Sequence, residues 1–235
     1  MKILAVETAT LLGGVAILDD ERGLIAEVKM NVKTTHSERL MTEIAHVIEK
    51  ALIQIQDIDA FAVSIGPGSF TGLRIGLSTI KGFSLATGRP IVAVPTLEAF
   101  AWNFPFCRYP VCTLLDARKQ EVYAAVFRWE PQGFRRLVSE VSATAELVLE
   151  HMERQSALRG ERILFAGEGV LLYREVIRER MGGRALFPPS DKMIPAPANV
   201  AYLGLQKALR GEFSEPISLV PFYLRKSEAE IKKNG

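Results

Sequence analysis

Residues 64–82, SIGPGSFTGLRIGLSTIKG, set a Gly-Pro-Gly turn between an apolar run and a helix-like segment. Glycine-rich turns that open helices are suited to phosphate, because unsatisfied backbone amides and the positive end of the helix dipole face the anion. The spacing here fits neither common phosphate pattern. The Walker arrangement fails at Thr71 counted from Gly66 and at Leu73 counted from Gly68, and G-x-G-x-x-G fails at Thr71. Two readings stand: a phosphate cradle of another design, or a tight turn made by Gly66 and Gly68 and stiffened by Pro67.

The helix that follows carries Gly72, Gly76, Thr79 and Gly82 at spacings of three and four, a strip of small side chains. Each glycine costs a helix about 1 kcal/mol relative to alanine, so the strip calls for compensation by a closely approaching backbone. That backbone belongs either to this chain's own sheet or to a partner helix.

Carboxylates offer a second chemistry. Glu7 ends the first apolar run, and Asp116 holds the equivalent place in the second half. With Thr8 they are the candidate cofactor-binding residues: facing a cleft between two lobes, they could hold a hydrated cation, or they could accept hydrogen bonds from turn amides. Metal and nucleophile signatures are weak. His36, His46 and His151 are the only histidines, and Leu40 stands where an H-x-x-x-H pair would need its second member. Cys107 and Cys112 lack a zinc spacing, and Cys112 lies in an apolar run where a thiol is packing material. No G-x-S-x-G elbow occurs.

The elements that would position these residues follow from pattern. Strands are expected at Lys2–Thr8, Gly14–Asp19 and Leu24–Met30, joined by short turns. A helix follows, with Thr35 and Glu38 as a capping box and Leu40, Met41, Ile44, Val47, Ile48, Ala51 and Leu52 covering more than one narrow stripe. Then come a buried strand at Asp59–Ile65, a helix at about Gly72–Ala86 ended by Gly88, and a strand at Ile91–Val94. The order is β-β-β-α-β-α-β. The second half repeats it in weaker form: VCTLLDARKQEVYAAVFRW is strand, turn, strand, followed by a strand near Phe134–Val141, a helix to Gln155, a strand at Arg162–Ala166 and a helix at Val170–Met181. A helix at Val200–Arg210 and an extended PFYLR complete the chain. Two related α/β lobes are expected, residues 1–102 with 196–235 returning to them, and residues 103–195.

The chain has 235 residues, a net charge of +2 and no Lys/Arg block, too little to argue for nucleic-acid binding by charge alone. No apolar run reaches the roughly 18 residues of a membrane span. KILAVET opens as a strand and not as a signal peptide, and unpaired cysteines suit a reducing compartment, so a cytoplasmic protein is expected.

ILAVETAT, GGVAIL, HSERL, IGPGSFTGLRIGLSTIKGFS, VPTLEAF, LLDARKQEVYAAVF and PFYLR, taken in this order, resemble the bacterial TsaB (YeaZ) family over essentially the whole chain. The resemblance implies a two-lobed actin/Hsp70-like ATPase (ribonuclease H-like) fold. It implies a non-catalytic paralogue of TsaD, the subunit that transfers threonylcarbamoyl to N6 of the adenosine beside the anticodon of tRNA. TsaD would be bound through a helical bundle, TsaE would join, tRNA would be met only indirectly, and the chain alone would form a homodimer. No cofactor would be required, with at most weak ATP or ADP binding in the cleft or at the interface. Leu40, Ile44, Val47, Phe70, Leu73, Arg74, Gly76, Leu77, Ile80 and Lys81 are the expected interface residues. Glu7 departs from the Asp usual in the wider fold, which counts against ATP hydrolysis. The competing reading is a stand-alone nucleotide hydrolase or glycoprotease-like peptidase.

Overall fold

The computed structural model describes residues 1–10, 12–31 and 36–225. It divides into two compact units: Met1–Ala99 with Pro195–Phe222, and Phe100–Ile194 with the tail from Tyr223.

The first unit is built on β1 (Lys2–Glu7), β2 (Leu12–Asp19), β3 (Gly23–Asn31), α1 (His36–Lys50), β4 (Ala60–Gly66), α2 (Phe70–Thr87), β5 (Ile91–Pro95) and the start of α3 (Thr96–Ala101). Its sheet has the order β3-β2-β1-β4-β5. β1 runs antiparallel to β2 and parallel to β4, and β4 is parallel to β5. β1 is buried from Ile3 to Glu7, as a central strand covered on both faces must be. Strand alternation divides its side chains between two cores. Leu4 and Val6 join Leu40, Ile44, Val47, Leu77 and Ile80 beneath α1 and α2. Ile3 and Ala62 face the later helix α6 (Pro197–Leu209), where a Cβ on Gly204 would stand 2.5 Å from that of Ala62.

The second unit carries β6 (Val111–Arg118), β7 (Glu121–Glu130), β8 (Gly133–Ala143), α4 (Ala145–Arg154), β9 (Ile163–Ala166), α5 (Glu168–Met181) and β10 (Ala185–Leu186). Its sheet order is β10-β9-β6-β7-β8, with β6 antiparallel to β7 and parallel to β9. Read from its antiparallel edge, this is the first sheet's order again.

Local chemistry moves several boundaries. α2 begins at Phe70, ahead of the expected Gly72, because Ser69 caps it, its hydroxyl accepting from the Gly72 amide at 3.2 Å. Gly88 ends it at φ 70°. α3 lies outside the expected elements. PFYLR forms no strand; within it, the Phe222 amide donates to the Ile65 carbonyl at 2.7 Å. The expected capping box rests on Thr35, outside the described residues. Among the described residues no helix is long and apolar enough to cross a membrane.

Candidate functional site

The GPGS turn is fastened to the loop after β1. The Ser69 amide donates to the Ala9 carbonyl at 2.6 Å, and the Gly66 amide to Thr96 Oγ1 at 3.0 Å. With Gly72 bonded to Ser69, three of the amides that a phosphate would require are already used. The glycines answer a steric demand. A Cβ on Gly68 would stand 2.5 Å from the Ala9 carbonyl oxygen, one on Gly72 2.0 Å from that of Thr8, and one on Gly76 2.3 Å from Thr8 Oγ1. The small-residue strip therefore admits this chain's own Thr8–Ala9 backbone. Gly82, with nothing near it, does not share that role.

Glu7 and Thr8 are buried, Glu7 completely. Glu7 Oε1 accepts from the Ala9 amide at 2.6 Å. Glu7 Oε2 and Thr8 Oγ1 have no hydrogen-bond partner. Burial pushes the Glu7 carboxyl up to about 7, against the lowering effect of the Ala9 amide and the Ser64 hydroxyl. The side chain folds back on its own turn through Oε1 and is shielded from solvent. The carboxylate at the end of β1 holds a turn here.

Asp116 is in the other unit. It holds the β6–β7 hairpin: Oδ1 accepts from the Arg118 amide at 2.8 Å and Oδ2 pairs with the Arg118 guanidinium at 3.1 Å. Arg118, Lys119 and Gln120 all have left-handed backbones, φ 62°, 52° and 62°, an arrangement that normally selects Asn or Gly. Burial, and then the charge of Asp116, raise the carboxyl of Glu168 at the start of α5. Among the described residues no group of three or more His, Cys, Asp or Glu is placed to hold a metal.

The expected interface residues part company. Leu40, Ile44, Val47, Leu73, Gly76, Leu77 and Ile80 are buried inside the first unit, so they build its core and cannot supply most of a contact surface. Phe70, Arg74 and Lys81 remain accessible, with the Arg74 guanidinium 3.8 Å from the centre of the Phe70 ring. The surface feature on these helices is a different one, an open groove of about 380 Å³ lined by Met41, Ile44, Ala45, Ile48, Glu49, Ile55 and Phe83. Glu49 is its one charged residue. Leu52 and Leu85, elsewhere on the same unit, are 92% and 89% exposed. The signal for the groove was present in the second apolar stripe of α1, where Met41, Ala45 and Ile48 recur at helical spacing.

Two sheets of matching order with helices between their strands give the chain an α/β fold of the actin-like kind. The family model described as TsaD, tRNA N6-adenosine threonylcarbamoyltransferase, matches residues 24–233. The tRNA threonylcarbamoyladenosine biosynthesis protein TsaB of Bacillus subtilis is 29% identical over 99% of this chain and 97% of its own. YeaZ of Pseudomonas aeruginosa superposes with a TM-score of 0.76 at 26% identity, over 95% of this chain and 99% of that one. Component A of the (R)-2-hydroxyglutaryl-CoA dehydratase of Acidaminococcus fermentans shares the fold alone, with a TM-score of 0.52 at 12% identity over 89% of this chain and 99% of that one. The chain belongs to the TsaD family, in its TsaB (YeaZ) branch.

Proposed function

We propose that the chain takes part in tRNA threonylcarbamoyladenosine biosynthesis as a non-catalytic partner subunit. It docks a TsaD-type transferase through the groove between α1 and α2, with a TsaE-type protein completing the assembly. Family membership supports the pathway. The observation that carries the docking role is the groove, a nearly uncharged apolar trough on exposed helical surface. An opening of this kind favours an apolar helix face as its occupant. In the absence of the transferase, a second copy of the chain fills the same groove. Glu7 supports the non-catalytic part, being fully buried with one carboxylate oxygen bonded to its own turn.

Reconstitution tests the reading. tRNA modification by the transferase and the TsaE-type protein should fall to background without this chain and recover when it is added. Full-rate modification in its absence overturns the proposal.

A further inference from the structure

The second unit carries an aromatic edge far along its strands from the Asp116 hairpin. Tyr109 lies just before β6, Trp129 near the end of β7 and Arg162 just before β9, at one end of the sheet, and the Arg162 guanidinium donates to the Tyr109 hydroxyl at 3.4 Å. There Trp129 packs edge-on against Trp102 and Phe134, with ring centres 5.2 and 5.1 Å away. Phe106 lies outermost, its ring 4.8 Å from that of Trp129 and its side chain 80% exposed. Its backbone sits at φ 62°. That conformation is an outlier for a bulky residue, and burial gives no compensation here because the ring is in solvent. Such strain tends to persist where a side chain must be presented.

Charge narrows what the edge can take. Arg128, Arg135 and Arg136 are each paired with a glutamate. Arg108 and Arg162 are not: they flank the Tyr109 ring at 6.0 and 5.3 Å, and among the described residues neither touches a carboxylate. An exposed ring two residues along the chain from Arg108, with Arg162 across the same Tyr109 ring, suits a ligand with flat faces and a negative backbone. We propose that this edge is a stacking site for an unpaired nucleotide segment of the tRNA, with Phe106 against a base and Arg108 and Arg162 on its phosphates. An uncharged peptide occupant would satisfy the ring and leave both cations unanswered.

The inference rests on the tRNA reading above, and it is tested on the chain alone, so that a failed reconstitution and a failed titration are distinguishable. Labelled unmodified tRNA transcript and a short oligouridine are titrated with the full chain, following anisotropy and tryptophan emission. Phe106→Ala should weaken both by about tenfold, and Phe106→Trp should restore them. Arg108→Ala with Arg162→Ala should lower the salt slope by about 1.4. Melting curves matching the parent confirm that these exposed substitutions leave the fold intact. Absence of binding by the parent chain, or equal affinity in Phe106→Ala, overturns the proposal. So does loss of transferase capture by Phe106→Ala with tRNA affinity unchanged, which would make the edge a protein contact.

Discussion

The two sheets share strand order and direction, yet the same position in each carries a different kind of carboxylate. At the end of β1, Glu7 is fully buried and bonded to an amide two residues on. At the end of β6, Asp116 keeps 15% of its side chain exposed and is neutralised by Arg118. Topology therefore sets where the carboxylate falls, and the packing around it sets what it does. Around β1 the packing is done by glycines: Gly13, Gly68, Gly72 and Gly76 all admit the backbone or side chains of residues 7–9. Around β6 fewer glycines serve. Gly167 and Gly169 approach Leu114, and the hairpin is left to left-handed residues with side chains.

The comparison can be broken most severely at one glycine beside each sheet, Gly72 in α2 and Gly167 ahead of α5. A Cβ on Gly167 would lie 1.9 Å from the Leu114 carbonyl oxygen at φ 125°, and one on Gly72 2.0 Å from that of Thr8. Gly167→Ala and Gly72→Ala should each cost about 3 kcal/mol or more, read from urea melts. Equal midpoints to the parent would show that neither contact constrains the fold.

The carboxylates come next. Glu7 is raised in the folded chain from an ordinary value of 4.5 to about 7. The stability from its protonated form is thus complete below about pH 4.5, declines as pH rises to about 7 and is absent above. The span corresponds to about 3 kcal/mol. Glu7→Gln should flatten that decline and make the chain more stable than its parent at pH 8. An unchanged pH profile would show that Glu7 titrates normally.

Met41, half exposed in the groove, gives the third effect. Met41→Glu should weaken association with the transferase or with a second copy by about 1–3 kcal/mol while melting like the parent. Retained complex in sedimentation would exclude the groove. Asp116→Asn should do least. It weakens a partly exposed pair and should cost under about 1 kcal/mol, so a larger loss would indicate that the hairpin depends on this charge.

The order of elements along the chain was legible because short apolar runs and turn residues recur at regular intervals, as in KILAVE and ILFA. The two-fold repeat was visible for the same reason. The inward and outward faces of α1 were not. Val47 and Ile48 are nearly identical in hydrophobicity, yet Val47 is buried under the helix and Ile48 lines the groove. A pattern with two apolar stripes does not say which one the sheet takes. The glycine strip on α2 announced a close approach, but it could not name the backbone that approaches. That backbone is Thr8–Ala9, remote in sequence, and the neighbour of Gly76 is the Thr8 side chain. α3 was hidden by its length, only six residues after a strand ending in proline.

The placement of α6 has a consequence for synthesis on the ribosome. It covers the Ile3 and Ala62 side of the first sheet, with Gly204 almost against Ala62, and its residues are translated after the whole of 100–194. The nascent N-terminal sheet emerges with one apolar face bare and waits for the second unit to be made before it can close. The usual order, in which the N-terminal unit folds first, is therefore unavailable to this sheet, whose covering helix is made only after residues 100–194.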